Sequence, residues 1–463
     1  MSPRLNFYVI WMAILGGFLP GCAKYHAMPL APTTVAEMLK PPSMEVLRIE
    51  AKEIKHPILK PVNIDFQKGL SPHGAAILAV LANPSLHAAR DRRGIAAAQL
   101  LQAGILPNPQ FSYTMDFPTG GATEGTVNAF GLGLNWDLQS LLIGSAAVDE
   151  AHAQAASIDL DVAWQEWQVA QAAKLHVFGL FFLRKQLAVA KEEEKGLKEN
   201  LETVRRAADR GYMTVIDLAA AEAALRGIHA SRLALEQQEE QERLALNQTL
   251  GFPPERAIPL QQDLKSPSFK TLPSLAKVMD GLEDRRLDLL ALKMGYQSQE
   301  ARLRASVRSQ FPRITIGFSH ASDTTDVVTT GFGITIDLPF FDRNQGRIAI
   351  EEASRKQLFD EYISRLFDAR AGVARILADG EALQKQIRVT EEYLPVLRNL
   401  IQTYHRALLE GNADVLSYYN ARDRLLASNL ALFDLQRKLA DFYVALEIAA
   451  GEYLEPGNRG NAP

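Results

Sequence analysis

Two stretches of the chain alternate strictly between apolar positions and small or polar ones. In GFGITIDLPFFDRNQG, Gly331 to Gly346, Phe332, Ile334, Ile336, Leu338 and Phe340 fall on one side of an extended strand, with Gly333, Thr335 and Asp337 on the other. One side suits lipid and the other suits water. The turn-forming run Asp342 to Gly346 closes the strand, and an alanine-, glutamate- and leucine-rich segment follows that reads as helix for tens of residues. AFGLGLNWDLQSLLIG, Ala129 to Gly144, repeats this arrangement, with Phe130, Leu132, Leu134, Trp136 and Leu138 opposed to Gly131, Gly133, Asn135 and Asp137. Phe130 and Phe332, Gly131 and Gly333, and Gly144 and Gly346 share one offset, so the chain reads as a duplicated unit.

Each unit is expected to supply helix, strand, loop, strand and a long helical hairpin. The first repeat spans 70–251, with strands near 110–118 and 129–139; the second spans 274–452, with strands near 313–320 and 331–341. Residues 252–273 are proline-rich and read as a linker or collar, and 453–463 as a flexible tail. Ahead of the repeats, 22–69 carries recurrent prolines and no sustained period, which predicts an extended leader. In the last arm Leu425, Leu432, Leu439 and Leu446 recur every seven residues, with Ser428, Leu435, Phe442 and Ala449 interleaved, which gives a coiled-coil seam.

Strands of roughly nine residues have the length a tilted strand needs to cross a bilayer. Four strands cannot close a barrel, and open edges are not tolerated in lipid. Several chains must then share one barrel, and three copies would give twelve strands. The alternative is a small soluble sheet with one dry face, which seldom places glycine at successive inward positions as Gly131 and Gly133 stand. The fold class expected is mainly α with a transmembrane β part: a trimeric twelve-stranded barrel continued by an α-helical barrel. At about 1.5 Å per residue the first helical arm reaches on the order of 100 Å.

Each hairpin turns at a glycine, Gly211 in GYMTVIDL and Gly411 in GNADVLSY, and Val215, Ala221 and Leu225 match Val415, Ala421 and Leu425 at the same offset. If several copies bundle, these tips form a ring at the end far from the strands. Asp217 and Asp414 are candidates to narrow it, because a ring of carboxylates at a constriction selects or binds cations. The competing reading is local: Thr214 and Asp414 are good N-caps, and Thr214 with Asp217 reads as a capping box. One residue can do both.

The composition adds an address. With 463 residues, 47% of them hydrophobic, and a net charge of -4, the chain can bury a large core and nothing points to nucleic acid as a partner. Arg4 followed by the apolar run Phe7 to Phe18 reads as a secretory signal over 1–21, too short to span a bilayer comfortably. Cys22 is the only cysteine, so neither an intramolecular disulfide nor a thiolate metal site can be built. LPGC resembles the bacterial lipobox, which implies a lipidated Cys22; Ala23 after it implies the outer membrane, and an ordinary cleaved signal is the alternative. The nine histidines are scattered and the methionines do not cluster, so no metal site is visible and no cofactor is expected. No HExxH, P-loop or Gly-x-Ser-x-Gly occurs, so an enzyme reading has no residue to rest on. Glu192 to Glu194 reads as a solvated face, and Trp164 and Trp167 as packing.

PNPQFSY (Pro107 to Tyr113), LPFFDRNQG (Leu338 to Gly346) and the glycine-tip patterns resemble the recurrent segments of the TolC-type outer-membrane efflux family, in order and duplicated spacing. The resemblance covers nearly the whole chain after the leader. It implies a homotrimeric outer-membrane channel with an α-helical tunnel through the periplasm. Such a channel docks on a periplasmic adaptor (membrane fusion) protein and an inner-membrane RND-type pump. In that family an acidic residue six places after the tip glycine narrows the entrance; Asp217 matches it, whereas Ser417 stands there in the second repeat. The lipobox with FFDRNQG is similar to the CzcC/CusC-like heavy-metal efflux branch. A duct for protein secretion and a lipid-anchored periplasmic coiled-coil scaffold remain alternatives.

Overall fold

The computed structural model describes residues 23–262, 264, 272–410 and 412–454. The chain divides into two units at Pro42. Among the described residues of the first, the short helix α1 (Pro32–Met38) opens with a proline at its start, where no intrahelical N–H is needed.

The second unit runs α2 (Met44–Glu53), α3 (Pro72–Ala82), α4 (Pro84–Ala103), β1 (Gln110–Asp116), β2 (Ala129–Asp137), α5 (Gln139–Asp209) and α6 (Val215–Thr249). It continues through α7 (Leu275–Met279), α8 (Leu282–Arg285), α9 (Leu287–Arg308), β3 (Ile314–Ser322), β4 (Val328–Ile336), α10 (Gln345–Leu409) and α11 (Val415–Ala450). Helix, strand pair and long hairpin thus occur twice. With 71 residues, α5 is about 107 Å long at the ordinary helical rise.

The four strands form one antiparallel sheet in the order β1-β2-β3-β4, so among the described residues β1 and β4 are free edges. Register fixes the faces. Phe111, Leu134 and Phe318 lie across from one another, as do Trp136, Ile316 and Ile334, and Phe318 faces Phe332. Side chains alternate, so one face carries the aromatic and aliphatic residues of all four strands. The Phe318 and Phe332 rings meet on it at a tilt of 53°, with centroids 5.2 Å apart. The other face carries Ser112, Thr114, Asn135, Thr315 and glycines, and the pairing explains two of these glycines. Gly133 lies across from Ser112 and Gly131 across from Thr114, and a Cβ at either would meet the facing hydroxyl at 2.5 and 2.6 Å. At the helix end of the sheet the Trp136 indole donates to the Pro107 carbonyl at 2.9 Å.

The main core lies where α3 packs on α5. Leu78, Trp167, Leu180, Leu246 and Leu250 are sealed there. Lys174 on α5 is buried against Glu447 on α11 at 2.7 Å, with its ammonium over the Tyr453 ring. Burial lowers the Lys174 pKa, and Glu447 opposes that shift.

The structure departs from the sequence reading in several places. The extended leader is helical in two stretches. Ser43 caps α2 by accepting from the Val46 amide, and Leu47 and Ala51 on α2 are fully buried in the main core. His56 then pins the segment, with Nδ1 accepting from the Ile58 and Leu59 amides and Nε2 donating to the Ala163 carbonyl at 2.9 Å. The collar is likewise no free linker: Phe252, Ile258 and Leu260 are buried, and the Leu70 amide donates to the Pro259 carbonyl. β4 lies at Val328–Ile336 rather than 331–341, so Leu338 and Phe340 fall beyond it. Pro339 has no N–H for a ladder, and the alternation of the sequence runs past the end of the pairing. β3 extends to Ser322. Pro395 sits inside α10, where it removes one intrahelical hydrogen bond. The signal segment, Cys22, Gly411 and the tail from 455 lie outside the described residues.

Candidate functional site

Two chemical elements stand at the far ends of the hairpins: the capped tips and a set of links that fasten the second hairpin to the first. The first tip is a helix end whose conformation glycine permits. Gly211 has φ +76°, the Gly211 amide donates to the Ala208 carbonyl, and the Tyr212 amide donates to the Ala207 carbonyl, both at 2.9 Å. The second tip repeats the outer bond, Asn412 N–H to the Ala407 carbonyl at 2.7 Å.

Both return helices open with a carboxylate and a hydroxyl three residues apart, in exchanged order. At the start of α6 the Thr214 hydroxyl accepts from the Asp217 amide, while the Asp217 carboxylate accepts from the Thr214 amide at 2.8 Å and from its hydroxyl at 2.7 Å, a complete capping box. At the start of α11 the carboxylate is the cap: Asp414 accepts from the Ser417 amide and the Ser417 hydroxyl, both at 2.7 Å. These bonds, the hydroxyl's first, hold the Asp414 carboxyl below the usual carboxylate range. Asp217 and Asp414 therefore cap helices, and each tip keeps one carboxylate although Ser417 occupies the position matching Asp217. Around them Tyr212, Val215, Ile216 and Leu416 are exposed apolar residues.

Above the tips, α11 lies on α5 through polar links. The Arg422 guanidinium grips Glu193 with two nitrogens, at 2.8 and 2.7 Å, in a site where the side chains are 17% and 24% exposed. The Tyr419 hydroxyl donates to Asn200 at 3.1 Å, and burial pushes the phenol up to about 12. The Gln186 amide donates to the Leu430 carbonyl. Sequence reasoning missed this latch and took Glu192 to Glu194 for a solvated face; Glu193 instead bonds Arg422, and Glu194 bonds Arg232 and His229. The partners stand on other helices, and no local spacing announces them.

Among the described residues no group of three or more histidine, cysteine, aspartate or glutamate side chains could hold a metal ion. No described helix is long and apolar enough to cross a membrane.

Residues 278–452, the second repeat, match the family described as outer membrane efflux protein. The chain is 26% identical over 188 residues to the cation efflux system protein CusC of Escherichia coli K12, an alignment covering 38% of this chain and 41% of that protein. The fold match is wider. A solved structure of CusC superposes with a TM-score of 0.71 at 18% identity over 86% of this chain and 98% of that one. The outer membrane protein VceC of Vibrio cholerae superposes with a TM-score of 0.70 at 19% identity, over 83% and 97%. The chain thus matches the outer membrane efflux protein family over residues 278–452 and shares the duplicated-hairpin fold of CusC and VceC over most of its length.

Proposed function

We propose that the protein is the outer-membrane channel of a tripartite efflux system, a passive duct that performs no covalent chemistry. The observation that carries this reading is the sheet. One face is apolar across all four strands, the other is small and polar, and both edges are open. Neither face nor edge is satisfied by the chain itself, and closure with two further copies into a twelve-stranded barrel satisfies all of them: apolar face to lipid, polar face to a water-filled lumen, β1 of one copy on β4 of the next. Strands of seven to nine residues fit a tilted crossing of the hydrocarbon layer.

The hairpins then continue the barrel as an α-helical tunnel through the periplasm. At its far end Asp217 and Asp414 of each copy line the entrance, with Ser417 supporting Asp414. The links Arg422–Glu193 and Tyr419–Asn200 hold the second hairpin in against the first. A periplasmic adaptor engages the tips at Gly211 and Gly411, where apolar side chains are exposed, and an RND-type inner-membrane pump loads the duct. Heavy-metal cations are the proposed cargo within a broader class of small solutes, supported by the name of the CusC relatives and by the carboxylates at the entrance. Acylation of Cys22 anchors the leader to the outer membrane.

The test is the oligomeric mass of the full chain in detergent together with single-channel conductance of the same sample. A conducting trimer is expected. A water-soluble monomer without conductance overturns the proposal.

A further inference from the structure

The leader is fastened to the body through a side chain that can serve only while uncharged. His56 is sealed, with its side chain 1% exposed, and both ring nitrogens are engaged. Nε2 lies 2.9 Å from the Ala163 carbonyl on α5, and Nδ1 lies 3.0 Å from the amides of both Ile58 and Leu59. A carbonyl only accepts and an amide only donates, so the partners dictate where the proton sits: on Nε2, with Nδ1 bare. The neutral ring is the form that satisfies every one of these bonds.

What the bare nitrogen holds is a turn. By accepting from the amides two and three residues on, His56 folds 56–59 as an asparagine or aspartate does, and Asp65 makes the same kind of turn with the Gln67 and Lys68 amides. The turn carries the buried Leu59 into the main core, where Leu47 and Ala51 of α2 also lie. The Val62 amide returns to the Ala51 carbonyl at 3.0 Å, so helix and turn form one strap. A proton on Nδ1 would set three N–H groups against one another where two bonds had been. Flipping the ring does not relieve this, because both nitrogens of a charged imidazole are donors. The turn at 56–59 must open to accept the charge.

The surroundings resist the charge as well. Glu166 on α5 stands 3.7 Å from Nε2 and favours a charged ring, but two guanidiniums of α4 already claim that carboxylate, Arg90 at 2.6 Å and Arg93 at 3.5 Å. Arg93 also pairs with Asp159. Burial is the largest influence and lowers the His56 pKa; the Ala163 bond and Glu166 partly offset it, and Arg93 and Arg90 add to it. A histidine whose folded pKa is lowered binds more protons when released. Its contribution is therefore complete above the ordinary value of 6.5 and is lost as pH falls from there toward the folded pKa.

We propose that His56 makes the strap 43–64 an acid-released fastening, docked on α3 and α5 while the ring is neutral and let go when mildly acidic surroundings protonate it. On release Leu47, Ala51 and Leu59 leave the main core, while Leu78, Trp167 and Leu180 stay packed between α3 and α5, and the segment ahead of α3 lengthens. The inference stands on bonds within one chain and does not depend on how many copies assemble.

The test is hydrogen exchange followed by mass spectrometry on the full chain in detergent, from about pH 8 to about pH 5, the window in which an ordinary histidine titrates. Rates are corrected for the chemical pH dependence of amide exchange, and α9 serves as the reference within the same molecule. Exchange of 43–64 relative to α9 is expected to rise about tenfold per pH unit below the ordinary histidine value, the slope for one proton taken up on release. His56→Asn keeps an acceptor for the two amides and cannot be charged, so its ratio is expected to be flat. Arg93→Gln removes a repelling cation and frees Glu166 to favour the charged ring, so release is expected to begin at higher pH than in the parent. A parent ratio that does not change with pH overturns the proposal, as does an Asn variant that keeps the parent's slope. Should His56→Asn fail to fold, Arg93→Gln decides: a curve superposing on the parent's overturns the proposal.

Discussion

Replacing Arg422 with alanine isolates the latch on which the proposed gate depends. The guanidinium makes two charge-assisted bonds to Glu193 at 2.8 and 2.7 Å. A hydrogen bond to a charged group contributes about 1.5–3 kcal/mol, and water reaches both side chains in part, so about 1–2 kcal/mol per chain is the reasonable share. If three chains open together, removing all three latches favours the open entrance by about 3–6 kcal/mol, which is roughly 10²- to 10⁴-fold in the open-to-closed ratio. The assay is the open fraction of single channels in a planar bilayer, parent against variant, with the trimer confirmed by mass. Arg422→Lys, which keeps the charge but loses the two-nitrogen grip, is expected to fall between them. Tyr419→Phe, which deletes one hydrogen bond to Asn200 in each chain, about 0.5–1.5 kcal/mol apiece, is expected to shift the ratio roughly 10- to 10³-fold on the same three-chain reckoning. An intact Arg422→Ala trimer whose open fraction equals the parent's would refute the argument that this pair holds the hairpins closed.

Three further outcomes are expected. Asparagine caps helices about as well as aspartate but lacks the charge that the folded state favours, so Asp414→Asn should lower the melting temperature less than Asp414→Ala while weakening cation preference, read as a reversal potential in a salt gradient. Asp414→Ala should lower both, costing about 1 kcal/mol at the start of α11; an Asn variant with full cation preference would leave Asp414 a cap alone. Asp441 on α11 is pushed up to about 6, mainly by burial, with Glu242 and Asp434 adding to the shift and Arg437 opposing it. A carboxyl whose folded pKa is raised binds more protons folded than unfolded, so its contribution falls as pH rises from about 4 to about 6. Asp441→Asn should therefore melt higher than the parent at pH 7, by about 1–2 kcal/mol after allowance for solvent, with the difference vanishing near pH 4; a pH-independent difference contradicts the assignment. A Cβ at Gly380 would overlap the Phe442 ring, so Gly380→Ala should destabilise by about 1–3 kcal/mol. Gly372→Ala, on the same helix with open space around it, should stabilise by up to about 1 kcal/mol, and calorimetry compares the two.

What the sequence disclosed, and what it withheld, follows from the range of each interaction. The sheet was legible because alternation is local: Phe332, Ile334 and Ile336 declare a face whatever lies across from them. The caps were legible for the same reason, since Thr214 and Asp217, or Asp414 and Ser417, complete their bonds within one turn. The end of β4 was not, because side-chain alternation continues through Pro339 while the ladder it would need stops. The leader helices were hidden by prolines, which read as breakers yet stand at or before helix starts, as Pro32 does. The latch was hidden altogether, since Glu193 and Arg422 stand 229 positions apart and a run of glutamates looks like any wetted surface until the other hairpin is in place.

The sheet also bears on how robust the protein can be said to be. A lone copy exposes Phe111, Phe318, Phe332 and Ile334 together with two unpaired strand edges, and no rearrangement within four strands hides them. The buried helical core closes within the chain, whereas on the trimeric reading proposed above the strands gain their packing only from neighbours and lipid. A melting temperature for this molecule is therefore a property of protein concentration and amphiphile as much as of sequence, and dilution or delipidation should lower it with every residue unchanged.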